Sequence, residues 1–229
     1  YLARLAAVGA NAVWLQAVLS RLTPLPWARE AGLERRRQAL RDLVARAARH
    51  GVQVFLYLNE PRALPSSSPV FERSPGWRGV TELGFSSVCT SVPEVRSALS
   101  RAVADVCNAA PDLGGFFTIT ASENLTSCWS HGRGADCPRC RSRGPAEVVA
   151  EVNAVFLEGV RSAGGRQRLI AWDWGWGDDW APAAIERLPS GVALMSVSEW
   201  GLPIERGGVP SEVGEYCLSA IGPGPRARR

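Results

Sequence analysis

Carboxylates follow short apolar runs at several places in this chain. Glu123 closes Gly115-Phe116-Phe117-Thr118-Ile119-Thr120, Asp173 follows Gln167–Trp172, and Glu199 follows Val192–Val197. Glycoside cleavage needs a proton donor at the leaving oxygen and a second group that stabilises positive charge at the sugar carbon. A carboxylic acid donates well where its surroundings raise its pKa towards neutrality. Glu123 ends a strongly apolar run, beside Asn124 and near Trp129, a setting that would desolvate it. It is the first candidate for a general acid/base, with Asp173 and Glu199 as assisting carboxylates. The competing reading of each is a rim acid in a surface ion pair. Asn59-Glu60-Pro61-Arg62 follows another apolar run, and its amide and carboxylate could bind sugar hydroxyls unless Arg62 pairs with Glu60.

Nine tryptophans are many for 229 residues, and Trp172, Trp174, Trp176, Trp180 and Trp200 fall at or just after such run ends. Indole faces stack on sugar rings and tolerate water on one side. Trp172, Trp174 and Trp200 are the chosen platforms; core packing is the alternative, strong for Trp14 and partial for Trp172. The polar, glycine-rich run Asp173-Trp174-Gly175-Trp176-Gly177-Asp178-Asp179-Trp180 suits a core less well.

Six cysteines are present, and Cys128, Cys137 and Cys140 crowd into one loop with His131 in the spacing C-x2-H-x5-C-x2-C. Two short chelating pairs can close a tetrahedral Cys3His zinc site, which with no open position is structural. A disulfide from Cys128 to Cys137 or Cys140, or free thiols, are the alternatives. The pair does not open a helix directly after a strand, which argues against a thioredoxin-like role. Cys107 and Cys217 read as small buried apolar residues.

These groups need a scaffold. Apolar runs at 12–18, 52–58, 115–120, 167–172, 192–197 and 216–221 read as strands. Helical patterns at 1–9, 30–49, 93–110, 145–163 and 181–188 separate most of them. Gly51 supplies a left-handed helix end, and Ser91-Val92-Pro93-Glu94 a helix start capped by Ser91. Residues 59–91, rich in Pro, Ser and Gly, read as one long loop. Strands alternating with helices imply a parallel sheet, covered on both faces because the runs do not alternate with polar residues. No glycine-rich phosphate fingerprint follows a strand. Polar and aromatic residues instead follow the strands' carboxyl ends, as at the rim of a (β/α)8 barrel. The expected architecture is one α/β, TIM-type barrel domain over 1–225, incomplete in this chain, with a Cys-rich insert at 124–144 and a basic tail at 226–229.

Gly9-Ala10-Asn11-Ala12-Val13-Trp14-Leu15 followed by Gly51-Val52-Gln53-Val54 resembles the second and third βα units of family 20 glycoside hydrolases. Cys89-Thr90-Ser91-Val92-Pro93-Glu94, a helix, and Gly114-Gly115-Phe116-Phe117-Thr118-Ile119-Thr120-Ala121-Ser122-Glu123 resemble that family's fourth unit, and Ile170-Ala171-Trp172-Asp173 its fifth strand. The likeness covers roughly 1–176, by order and spacing more than by identity. It is greatest to bacterial relatives with a Cys-x-x-Cys segment after the fourth strand. It implies an N-acetylhexosaminidase-like activity with Glu123 as acid. The family's Asp, which orients the substrate's 2-acetamido group, is replaced by Ser122, which cannot hold a charge. Without that mechanism, Asp173 or Glu199 would serve as an enzymic nucleophile.

The remaining site expectations are Ser122, Asn124 and Asn59 as substrate contacts, structural zinc as the metal, water as second substrate and no redox cofactor. All 26 basic side chains are arginine, a bias of GC-rich bacterial genomes, and net charge is +4. The arginines scatter over helices, so nucleic acid is not an expected partner. No run is long enough for a membrane span and none reads as a signal peptide, which leaves a cytoplasmic or exported location open, as is oligomeric state. An inactive carbohydrate-binding barrel is the main alternative, and a zinc-organised nucleic-acid module the third.

Overall fold

The computed structural model describes residues 1–197, 203–212 and 218–221. Helix α1 (Leu2–Ala7) leads to strand β1 (Ala12–Ala17), helix α2 (Leu33–Ala48) and strand β2 (Gln53–Leu58). Between β2 and the next long helix lie β3 (Leu64–Pro65), α3 (Pro69–Arg73), β4 (Arg78–Glu82) and β5 (Phe85–Val88). Then come α4 (Pro93–Ala109), β6 (Gly115–Ile119), α5 (Pro145–Ser162), β7 (Arg168–Trp172), α6 (Ala181–Arg187) and β8 (Val192–Val197). Strands β9 (Pro203–Arg206), β10 (Val209–Glu212) and β11 (Leu218–Ile221) follow.

The main sheet has the order β1-β2-β6-β7-β8-β11. Its first five strands are parallel. Each is added on the same side of its predecessor, so the order never reverses. An open doubly wound sheet needs such a reversal; a sheet curling into a barrel does not. The architecture is therefore the incomplete (β/α)-barrel expected. The last strand departs from expectation: β11 pairs antiparallel with β8. Among the described residues β1 and β11 are the sheet's two edges.

Alternation along the strands divides two apolar regions. Val54, Leu56, Phe116, Leu169, Ala171, Val192 and Leu194 face the helices and join the main core. Phe55, Ile119, Ile170, Trp172, Ala193 and Met195 form a second cluster on the inner face, with Tyr57, Phe117 and Trp174 packed against it. Trp14 adds to that face, its ring 5.8 Å from Trp172, 5.6 Å from Tyr57 and 5.5 Å from Phe117. The segment expected to be one long loop is instead organised: β3, β5 and β4 form a small antiparallel sheet. The turn at Leu83 and Gly84, both at positive φ, closes its β4–β5 hairpin. Its short strands, broken by Pro and Gly, hid the pattern.

Helix α4 starts at Pro93 with Val92 as N-cap and Glu94 in the first turn. Ser91 does not cap it. Its hydroxyl lies 3.3 Å from the Cys140 sulfur and accepts from Arg143. Gly51 is left-handed (φ 69°), as expected after α2. Buried Thr118 on β6 donates to Asn153 of α5, which ties the helix layer to the sheet. Among the described residues no helix is long and apolar enough to cross a membrane.

Glu60 joins the ends of β1 and β2. It is 2% exposed; Oε1 accepts from Leu19 N–H and Oε2 from Arg62 N–H. Burial nevertheless pushes its pKa up to about 7. A carboxyl raised in the folded state favours folding below its unfolded pKa and loses that contribution as pH rises through the folded value. Denaturant stability is expected to fall by roughly 3 kcal/mol between about pH 4.5 and 7. Urea titrations across that window check it: Glu60→Gln should flatten the profile, and an unchanged slope would refute the assignment.

Candidate functional site

Strands β6 and β7 are parallel neighbours in unshifted register, Ile119 beside Trp172. Whatever follows them therefore leaves the sheet at one end, side by side. Glu123 and Asp173 share that rim, and Asn59 follows β2 at the same end. The two loops touch directly. Gly175 is left-handed (φ 78°), and a Cβ there would lie 2.1 Å from Ala121 O and 2.8 Å from Ser122 Cα. Only glycine permits this backbone contact without strain. It sets Trp174 beside Glu123, and Trp174 Nε1 donates to Glu123 Oε1 at 2.8 Å.

Glu123 does not have the environment expected of it. It is exposed rather than desolvated, and the Trp174 indole N–H, with the nearby His131 cation, holds its carboxyl below the ordinary range. Unliganded Glu123 is a carboxylate. Asp173 is buried, and its Oδ2 accepts from Ser196 at 2.7 Å. Ser122 is buried, and its hydroxyl adds to the lowering of the Glu123 pKa. Asn124 is exposed beside Glu123. Asn59 is buried; its amide donates to the Tyr57 hydroxyl at 2.6 Å, while Oδ1 has no donor among the described residues. Glu199 and Trp200 lie outside the described residues, as does Cys217.

The tryptophans divide. Trp174 is partly exposed at the rim. Trp172 is buried on the inner face, 5.8 Å from Trp174, and so supports the platform from below. Trp176, which the polar run made a poor core residue, is buried in the main core 5.7 Å from Trp180. Its indole donates to Thr120.

Glu123, Asn124 and Leu125 line an open cleft of about 310 Å³ together with the hairpin residues Glu82, Leu83 and Phe85 and with Arg62, Ala63 and His131. His131 does not bind with the cysteines as expected. Its Nδ1 meets the Glu82 carboxylate and its Nε2 meets Ser122 O at 2.9 Å. Both partners are acceptors, so both nitrogens must donate, and the Glu82 bond chiefly raises the His131 pKa. His131 thus acts as an imidazolium brace between the hairpin and the Glu123 loop.

The fourth member of the cysteine group is Cys89, directly after β5. Cys89, Cys128, Cys137 and Cys140 are all buried, and their sulfurs lie within 4.8 Å of one another. Sequence spacing missed Cys89 because it stands 39 residues before Cys128, in the segment read as a loop. Such a quartet suits a thiophilic cation. The Cys137 thiol is pushed down by its contact with Cys128, which is pushed up by the same contact. Hydroxyls of Ser87 and Ser91 lie against Cys128 and Cys140, and Arg139 donates to Cys89 at 3.5 Å. These are the outer groups that a thiolate-bound ion needs. Gly79 makes room for Cys128: a Cβ there would stand 2.6 Å from its sulfur.

No family model matches the chain, and no curated protein does. Solved structures do. A GH138 enzyme targeting pectin rhamnogalacturonan II aligns with TM-score 0.50 and 13% identity over 84% of this chain. A GH5_18 protein from Streptomyces cattleya, solved with GlcNAc, gives 0.50 and 16% over 82%. The pneumococcal virulence factor StrH gives 0.51 and 11% over 87%. The chain spans 21%, 43% and 54% of those three chains. At these identities the likeness shows the fold, which agrees with the barrel order of the sheet.

Replacing Trp174 by Phe removes the indole donor and keeps a ring. The Glu123 pKa is then expected to rise towards the ordinary glutamate value. Carboxyl-carbon NMR titration of wild type and variant measures it; an unmoved midpoint would show that the bond does not act on Glu123.

Proposed function

We propose that the chain is the core of a glycoside hydrolase, with Glu123 as the reactive carboxylate and water as second substrate. One observation carries this reading: Glu123 stands on the carboxyl-end rim of a barrel sheet, bonded to a partly exposed tryptophan and open to a cleft. Barrel enzymes work at that rim. Indole and carboxylate side by side are what a sugar ring and its anomeric centre require. The solved structures whose fold it shares include glycoside hydrolases, two of them described with pectin rhamnogalacturonan II and with N-glycans.

As a carboxylate, unliganded Glu123 suits a base or charge-stabilising role. To act as acid it must gain a proton once a sugar covers Trp174 and excludes water. Buried Asp173 assists by fixing the strand end rather than by attacking the sugar. N-acetylhexosamine is the proposed sugar, supported by the family 20 resemblance of residues 1–176. Ser122 in place of the expected Asp supports the second reading, a carbohydrate-binding barrel without catalysis. Hydrolysis of a chromogenic N-acetylglucosaminide separates them. Glu123→Gln should lower the rate by about 10²–10⁴-fold and retain sugar binding. Sugar binding with no wild-type hydrolysis supports the second reading; no binding at all refutes both.

We further propose that the cysteine quartet holds a structural zinc ion that fastens β5 to the 124–144 insert. With four sulfur ligands it has no open position and takes no part in the reaction. Metal analysis should find one zinc per chain in wild type and in His131→Gln, and loss of zinc with a lower melting temperature in Cys89→Ser. Zinc lost from His131→Gln but kept by Cys89→Ser would reverse the ligand assignment.

A further inference from the structure

The cleft beside Glu123 has one charged group left over. His131 has both ring nitrogens occupied, and Glu82 is its partner. Glu123 accepts from Trp174. Arg62 also lines the cleft, yet among the described residues its guanidinium forms neither an ion pair nor a hydrogen bond. Its Nε is shielded from solvent and lacks an acceptor. The backbone of Arg62 is pinned, because its N–H donates to buried Glu60. Tyr57 feels the charges of both Arg62 and Glu123.

The surroundings favour an anion at this point. Ala63, Leu83, Phe85 and Leu125 give the cleft apolar walls. Phe85 is 49% exposed and Leu83 94% exposed, both on the hairpin that lines the cleft. Apolar walls strengthen a charge pair by excluding water. A guanidinium binds carboxylate or sulfate oxygens through two parallel N–H donors, which an ammonium cannot do. His131 pairs with Glu82, while the carboxyls of buried Glu60 and of Glu123 remain near Arg62 and oppose an incoming anion.

We propose that the Glu123 cleft selects an acidic sugar, with Arg62 receiving its carboxylate or sulfate group. This deepens the glycosidase reading and rests on it. Isothermal titration with the full chain tests it, using three probes: oligosaccharides bearing a free hexuronate, their methyl esters, and 6-O-sulfated counterparts. The free acid should bind about ten-fold or more tightly than its ester. Arg62→Met should erase that difference, while Arg62→Lys should retain part of it. Tighter binding of the sulfated probe than of the free acid identifies sulfate as the natural group; the reverse identifies the carboxylate. Equal affinity for acid, ester and sulfate overturns the proposal and leaves the glycan reading standing, as does an acid preference that survives Arg62→Met. Absence of binding by every probe overturns the acidic-sugar proposal, and the N-acetylglucosaminide assay then decides the glycosidase reading separately. Melting curves show whether Arg62→Met is folded, and Arg62→Lys supplies the charge-retaining comparison where it is not.

Discussion

The unshifted parallel pairing of β6 with β7 is the constraint on which the rim depends. Adjacent parallel strands end together, so two loops distant in sequence must leave the sheet side by side. Gly175 then lets those loops meet backbone to backbone, and the Trp174–Glu123 bond follows from that contact. Behind them the strands' alternation matters equally. One set of residues satisfies the helices; the other builds an aromatic floor of Trp14, Phe55, Tyr57, Phe117 and Trp172 beneath the rim.

A second layer of restraint comes from the small sheet that interrupts the βα alternation. Its hairpin supplies Glu82 to His131, and His131 holds the carbonyl of Ser122. Cys89 lies at the other end of the same sheet, within the sulfur group. The loop bearing Glu123 is thus held from the side by charge and from below by tryptophan. The charged support lies outside the barrel, whereas the tryptophans belong to β7 and the loop after it.

Six strands were legible because each is a short apolar run with turn residues at its ends. Their order as a barrel followed from where polar residues stood, and the rim position of Glu123 and Asp173 followed from the order. The antiparallel sense of β11 was not legible, since a four-residue strand carries no mark of direction. The small sheet was missed because Leu64–Pro65 and Phe85–Val88 are too short and too polar to show a period. Ligand choice failed for a related reason. Local spacing favoured His131, whereas the chain brings Cys89 back from across α4 and β6. The acidity of Glu123 was misjudged because neighbours in sequence suggested burial, while the groups that matter, Trp174 and His131, arrive through tertiary structure.

The sulfur quartet draws on three stretches of chain that emerge in order: one after β5, one opening the insert and one closing it. No pair of these sulfurs can join oxidatively without dismantling the set, so an oxidant would compete with any bound cation for the same atoms. The hairpin that carries Glu82 shares its small sheet with Cys89. A redox change in the surroundings would therefore reach the carboxylate rim mechanically, through a displaced strand rather than through any altered charge at Glu123.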